Sequence, residues 1–374
     1  MKPIGFDGSR AKEILDQNDV DLVIATSPVN VFYLTGLPTL HVWKNPILFV
    51  LKNQYPFYAL LNRDGNEVLL YWAVFRSLDK FSWVKDVRGI VSPQQSLIIL
   101  SNTIKELGLE KSNIAIEKTM YRYQYEYLKK EFPEARFLDA DNLLLEMRLI
   151  KSSEEISRIK KSTEIAEKAI ENMIESTKEG ITDNELLKIA KSTIVEEGAE
   201  GWDHITLGIG ESDPEAPGIG IAMGKGDVTR YDIGAVWGGY VSDVSRHVVL
   251  NEIPSDIKEK YEMMLKVQEF CEDNIKAGVS TTEIKKNSKK FAKSLSKRGL
   301  GIITVHSIGL ETEELHLFSP MGTAKTDFKE NMVVDIEVWT EYKGGVLIGN
   351  EDCYIIKKNG VERISKLDKN IFVK

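Results

Sequence analysis

Residues Tyr231-Asp232-Ile233-Gly234-Ala235-Val236-Trp237-Gly238-Gly239-Tyr240-Val241-Ser242-Asp243 form the segment that most limits how this chain can fold. The run is almost wholly apolar, turns on a glycine pair and carries two carboxylates. With a two-residue hairpin loop at Gly238-Gly239, Trp237 faces Tyr240 and Gly234 faces Asp243. Asp232 lies two residues from Gly234 and so projects from the same face as Asp243. The two carboxylates become diagonal neighbours whose backbones sit roughly 7–8 Å apart, close enough for the side chains to converge. An isolated pair of this kind is as consistent with a solvated strand end as with a site.

A second acidic hairpin lies between Asp335-Ile336-Glu337 and Asn350-Glu351-Asp352. A two-residue loop at its glycines would send Glu337 and Glu351 to opposite faces. A three-residue loop, Lys343-Gly344-Gly345, pairs them directly and places glycine where a left-handed backbone is needed. We expect the three-residue register. Two bare carboxylates facing each other repel, so this pairing requires a cation between them.

Five histidines occur, at 41, 204, 247, 306 and 316. His306 follows the apolar run Gly301–Val305, which places it at a strand's end. A lone histidine there is usually structural, but four nearby carboxylates favour a metal ligand. Four ionised carboxylates balance two divalent ions, with neutral His306 adding no charge. Oxygen ligands with one imidazole suit Mn²⁺ or Co²⁺ best, with Zn²⁺ also compatible. Two such ions about 3.5–4 Å apart activate a shared water, so the expected reaction is metal-assisted hydrolysis.

The rest of the chain frames these hairpins. At 374 residues it is long for one domain and suited to two. Residues 1–150 hold 18 basic and 18 acidic side chains, so the whole formal charge of −8 falls beyond them. That first part reads as mixed α/β: a polar helix near 8–18, a buried strand at 21–25, and strands near 46–51, 57–61 and 67–73. Such alternation suggests an open sheet covered by helices. The second part opens with Ser152-Ser153-Glu154-Glu155, a capping box. An apolar stripe through Ile156, Ile159, Ile165, Ala169, Ile170 and Met173 follows at helical spacing. Further helices are expected from Thr182 to about Gly198, from Pro254 to about Ala277 and from about Thr282 to Arg298. Trp202, Trp237 and Trp339 read most simply as core residues.

Composition excludes several classes. The chain is 42% hydrophobic and 28% charged, so disorder and fibrous folds fail. Net negative charge argues against nucleic acid as a partner. Two cysteines cannot build a disulfide framework and suit a reducing cytoplasmic setting. No apolar run reaches the ~20 residues of a membrane helix, and the first residues lack a signal-peptide core. The glycine-rich stretch 208–227 is no phosphate loop, because Gly226 stands where Ser or Thr must follow Gly224-Lys225.

The ordered set Asp232, Asp243, His306, Glu337 and Glu351 resembles the site of the prolidase/aminopeptidase P family of pita-bread-fold metallopeptidases. The resemblance rests on residues 231–246, 306–314, 330–338 and 350–352, with a thinner likeness at Asn30–Gly36. It implies an N-terminal creatinase/prolidase-like domain over 1–148 and a pita-bread catalytic domain over 149–374. It further implies that Asp232 binds one metal, that Asp243 and Glu351 bridge both, and that His306 and Glu337 hold the other. Glu337 would also carry a proton from the bridging water to the leaving amine. The family cleaves Xaa-Pro bonds of dipeptides or short peptides, often as cytosolic homodimers.

Three positions depart from the family pattern. Gly218 and Glu313 stand where its peptidases carry histidines, and Gly349 stands where they carry arginine. The histidines orient substrate or stabilise an oxyanion, a service worth roughly 2.7–4 kcal/mol per donor. Glu313, a second candidate catalytic residue, can instead grip a substrate's α-ammonium. Spacing leaves open whether His204 or His316 supplies the missing donor. The leading expectation is an Xaa-Pro metallopeptidase. The alternatives are a divergent hydrolase of another small substrate and a metal-binding homologue without turnover.

Overall fold

A computed structural model describes residues 2–39, 56–210, 218–296, 301–341 and 347–374. The expected strand at 46–51, His41, and the loop Lys343–Gly345 lie outside the described residues. The chain divides into two compact units, Met1–Leu149 and Ile150–Lys374.

The first unit is a six-stranded sheet covered by helices. Its elements are α1 (Gly8–Gln17), β1 (Leu22–Ala25), α2 (Pro28–Thr35), β2 (Tyr58–Asn62), β3 (Glu67–Trp72), β4 (Asp86–Ile90), α3 (Pro93–Glu106), β5 (Asn113–Ile116), α4 (Arg122–Glu131), β6 (Arg136–Asp139) and α5 (Asp141–Leu149). The strand order is β4-β3-β2-β1-β5-β6. Only the β1–β2 and β2–β3 pairings are antiparallel. Leu22, Ile24, Leu60, Ile114, Leu100 and Leu128 pack into its core. The Asn30–Gly36 motif closes α2, where Gly36 at φ +73° leaves no room for a side chain beneath Trp83. Asn30 is held between the buried Glu117 and Arg148. Its polarity is therefore structural.

The second unit begins with α6 (Ser153–Ser176), whose Ser152/Glu155 capping box forms as the sequence predicts, and α7 (Asp183–Glu196), capped likewise by Thr182 and Glu185. β7 (Gly201–Ile209), β8 (Val228–Trp237), β9 (Tyr240–Val241) and β10 (Val244–Val249) follow. Then come α8 (Ser255–Asn274), α9 (Thr281–Leu295), β11 (Ile302–Ser307) and β12 (Leu315–Phe318). β13 (Val333–Glu341), β14 (Leu347–Lys357), β15 (Gly360–Arg363) and β16 (Phe372–Val373) complete the unit. The main path across the sheet is β12-β11-β13-β14-β10-β8-β7. One face packs against α6, α7 and α8, through Tyr231, Ile233, Ala235, Val244 and Val248 among others.

The registers fix what the other face carries. Directly opposed residues in a ladder share a face. Asp232 opposes Thr206 on β7 and Ser245 on β10, Ser245 opposes Glu351 on β14, Glu351 opposes Glu337 on β13, and Glu337 opposes Thr304 on β11. One row thus runs across six strands. The next row joins Cys353, Asp335, His306 and His316.

Alternation sends Arg246, Asn350 and Asp352 to the helix face. There Arg246 and Asp352, both fully buried, pair at 2.6 Å. The guanidinium also donates to the carbonyls of Ser245, Glu351, Leu367 and Asp368. This network clamps the backbone that holds Glu351. Arg246→Leu leaves Asp352 buried without its closest counter-charge. We expect a loss of about 3–5 kcal/mol, measured by denaturant unfolding, with Arg246→Met/Asp352→Leu recovering most of it.

Candidate metal centre

The structure brings Asp232, Asp243, His306, Glu337 and Glu351 together on one face of the second unit's sheet. The Gly238-Gly239 hairpin has the predicted register, with Trp237 opposite Tyr240 and Ile233 opposite Val244. Glu337 lies directly opposite Glu351, the register of the three-residue reading. His306 reaches the cluster from β11, with Nε2 3.3 Å from Glu351 Oε1.

Three residues not singled out for the centre join it. Arg230 places Nη2 2.8 Å from Asp232 Oδ2 and 3.6 Å from both Glu337 Oε1 and Glu351 Oε2. Its guanidinium stacks 3.4 Å above the Trp339 ring. Asp335 is fully buried beside Asp243 and His306, and neither of its carboxylate oxygens has a hydrogen-bond partner. His204 presents Nε2 3.4 Å from Asp232 Oδ1 and 3.2 Å from Asp243 Oδ1. Arg230 and Asp335 each sit two residues before a recognised carboxylate, so strand alternation alone could have found them. Trp202 is a correction: it is 38% exposed rather than core, whereas Trp339 is buried.

Electrostatics show a cluster short of positive charge. Burial, reinforced by Asp243 and Asp232, outweighs Arg230 and pushes Glu337 up to about 8. Burial and the same neighbouring carboxylates hold Glu351 well above the usual range, and burial with Asp243 does the same to Asp335. For Asp232 burial acts upward, but Arg230 and His204 prevail and hold it low. For His204 burial acts downward, yet Asp243 and Asp232 raise it well above an ordinary histidine.

This donor set fits divalent cations. His306 Nδ1 lies 3.0 Å from the Thr312 carbonyl, which can only accept, so that nitrogen carries the proton. Burial keeps the ring neutral, leaving the Nε2 lone pair facing a Glu351 oxygen. Two acceptors facing each other at that distance need either a proton on Glu351 or a cation between them. Asp232 Oδ1 and Asp243 Oδ1, both buried, have no hydrogen-bond donor either. Three overlapping groups offer ligand atoms within 4.8 Å of one another: His204–Asp232–Asp243, Asp243–His306–Asp335 and His306–Glu337–Glu351.

The departures from the family pattern have structural reasons. Gly218 has φ +86°, and a Cβ there would lie 2.5 Å from Leu187 Cδ1 and 2.8 Å from Asn184 Oδ1. The adjacent Ile219 and Gly220 amides are pinned by the Asp183 carboxylate, so a histidine here would carry backbone strain and displace the ends of Leu187 and Asn184. A Cβ at Gly349 would meet the Val338 carbonyl at 2.6 Å and the Trp339 ring at 2.9 Å. A cation, Arg230, stacks on that same Trp339 ring. Glu313 is half exposed and pairs with His316, Oε2 to Nε2, at 3.1 Å.

Comparison with known proteins agrees with this geometry. Residues 157–358 match metallopeptidase family M24, and residues 9–150 match the creatinase/prolidase N-terminal domain. The chain belongs to metallopeptidase family M24 and is a metal-dependent peptidase. Its relatives include the Xaa-Pro dipeptidases of Pyrococcus furiosus and Pyrococcus horikoshii, each 28% identical over 96% of this chain and 97% and 96% of their own. Among solved structures, the fold resembles an Xaa-Pro dipeptidase from Bacillus anthracis with a TM-score of 0.84 at 21% identity. That match covers 98% of this chain and 99% of the other. A prolidase from Pyrococcus horikoshii gives a TM-score of 0.80 at 23% identity with the same coverage. No helix among the described residues is long and apolar enough to cross a membrane.

The pKa directions set a pH dependence for the metal-free protein. Glu337, raised to about 8, keeps its proton in the folded chain after the unfolded chain has lost it, so folding stability falls as pH rises through about 4.5–8. His204, also raised, adds a fall of the same sign above its ordinary value near 6.5. We expect the melting temperature of chelator-treated protein to drop between pH 5 and pH 8.5. Mn²⁺ or Co²⁺ should flatten that drop, because ligands release protons to bind metal. Differential scanning fluorimetry with and without metal measures both curves.

Proposed function

We propose that this chain is a dinuclear metallopeptidase that cleaves Xaa-Pro dipeptides or the N-terminal Xaa-Pro bond of short peptides. The convergence of Asp232, Asp243, His306, Glu337 and Glu351 on one sheet face carries the reading. The Xaa-Pro dipeptidases matching nearly the whole chain supply the substrate class. In this reading catalysis belongs to the C-terminal domain, residues 149–374, with the N-terminal domain at 1–148. The same resemblance supports a cytosolic homodimer, and the two buried free cysteines suit a reducing compartment.

Asp232 would hold one ion, Asp243 and Glu351 would serve both, and His306 with Glu337 would hold the other. The bound ions, most simply Mn²⁺ or Co²⁺, supply a Lewis acid and a water acidic enough to act near neutral pH. Glu337 is the proton carrier. It takes a proton as carboxylate and returns it to the departing amine nitrogen as carboxylic acid. Glu313 is half exposed and pairs with His316, whose strand places it opposite His306 at the centre. We assign it to the substrate's α-ammonium.

A second reading is favoured by Gly218, whose left-handed backbone disfavours the family's histidine. In this reading the remodelled pocket takes another small amide. A panel of Xaa-Pro and non-proline dipeptides, tested with Mn²⁺, Co²⁺ and Zn²⁺, separates the two. Preference for proline supports the first; hydrolysis confined to non-proline members supports the second; no turnover by metal-loaded protein overturns both.

Two substitutions test the residue roles. Glu337→Gln should lower kcat by about 10²–10⁴-fold while the fold, followed by circular dichroism, is unchanged. Glu313→Gln should raise KM for free dipeptides about tenfold with little change in kcat, and should leave KM unaltered for substrates whose amino group is blocked. Equal KM effects on both substrates would remove Glu313 from α-ammonium binding.

A further inference from the structure

His204 lies outside the ligand set carried by the family resemblance, and the chain makes specific provision for it. β7 bears a bulge between Trp202 and His204, so that His204 rather than Asp203 opposes Gly234 on β8. Gly234 leaves the space that the imidazole fills. A Cβ there would sit 2.4 Å from His204 Cε1, 2.5 Å from Nδ1 and 2.8 Å from the Ser242 carbonyl. Any larger residue at 234 would push the ring away.

The ring is also aimed. Nδ1 lies 3.5 Å from Asp203 Oδ2, an acceptor, which directs the Nδ1 proton outward. Nε2 points inward at Asp232 Oδ1 and Asp243 Oδ1, the two buried oxygens without a hydrogen-bond donor. The separations of 3.4 and 3.2 Å are those of ligand atoms sharing one ion. Donors about 2.0–2.1 Å from a tetrahedral centre stand about 3.3 Å apart. A carboxylate behind a ligating imidazole is the usual means of fixing its tautomer and orientation.

We infer that His204 is a metal ligand, giving the ion held by Asp232 and Asp243 an imidazole nitrogen through Nε2. This deepens the dinuclear reading above and rests on it. Each ion then has one histidine: His204 for the first and His306 for the second. The imidazole nitrogen of His204 favours Co²⁺ or Zn²⁺ over purely oxygen-seeking cations at the first position.

Proton NMR of the Co²⁺-loaded full-length protein tests this without any substitution. A ligated imidazole gives a strongly shifted, solvent-exchangeable N–H resonance. Two such resonances are expected, from Nδ1 of His204 and of His306. His204→Gln should remove one of them and weaken one class of Co²⁺ site at least about tenfold by calorimetry. His306→Gln should remove the other. A single exchangeable resonance in protein holding two Co²⁺ ions would leave His204 as an imidazolium paired with the aspartates; that result overturns the inference and leaves the dinuclear reading intact. Protein that binds no Co²⁺ overturns both.

Discussion

Mutual repulsion among buried carboxylates is the constraint to which the rest of the second unit answers. Asp232, Asp243, Asp335, Glu337 and Glu351 all lie on one sheet face, each with little or no solvent to spread its charge. Left alone, such a set would splay or stay protonated, as the upward pressure on Glu337, Glu351 and Asp335 records. The ladder registers forbid splaying. β8, β10, β14 and β13 are locked to one another by residues on both faces, and the Arg246–Asp352 network holds the strand behind Glu351. The scaffold therefore supplies the negative charge and the cations relieve it. That division explains how a fold can carry a site whose metal-free form is strained electrostatically but not geometrically.

Charge bookkeeping ties two unexpected residues together. Asp335 adds a fifth carboxylate, and Arg230 adds a guanidinium 2.8 Å from Asp232. Five ionised carboxylates with one arginine sum to the same −4 as the four carboxylates read from the sequence, a charge that matches the proposed pair of divalent ions. Arg230 is held by stacking on Trp339, and the same ring covers Gly349. A side chain at 349 and the Trp339 ring cannot share that space. Glycine at 349, tryptophan at 339 and the cation at 230 are thus parts of one arrangement.

Much of this was legible from local rules. Glycine pairs and period-two alternation sufficed to place Asp232 with Asp243 and Glu337 with Glu351. The capping boxes at Ser152 and Thr182 marked two helix starts. Arg230 and Asp335 were legible too, by the same alternation, but an arginine within an apolar strand reads as a snorkelling surface residue until its neighbours are known. His204 was not legible. Its face depends on a bulge in β7 and on pairing with a strand more than twenty residues away, neither of which leaves a mark in the local pattern. Trp202 was misread for the same reason, since it sits on the far side of that bulge.

The distribution of departures separates two functions within one site. The residues proposed to bear on the cations are all present: Asp232, Asp243, His306, Glu337 and Glu351 converge, and Arg230 and Asp335 offset each other in charge. The departures at Gly218 and Glu313 lie instead where the family resemblance locates substrate contacts. At Gly218 the left-handed backbone, pinned by the Asp183 clamp, would strain any side chain, and a histidine there would also displace the ends of Leu187 and Asn184. At Glu313 an anion replaces a potential donor and pairs with His316. An anion at that place disfavours a developing oxyanion but favours an ammonium. In the proposed dipeptidase reading, stabilisation of the oxyanion would fall to the cations and to Arg230, while Glu313 would select substrates that bring a free amino terminus. On that reading the chemistry stays with the metal centre, and the altered positions would bear on which amine-bearing substrates reach it.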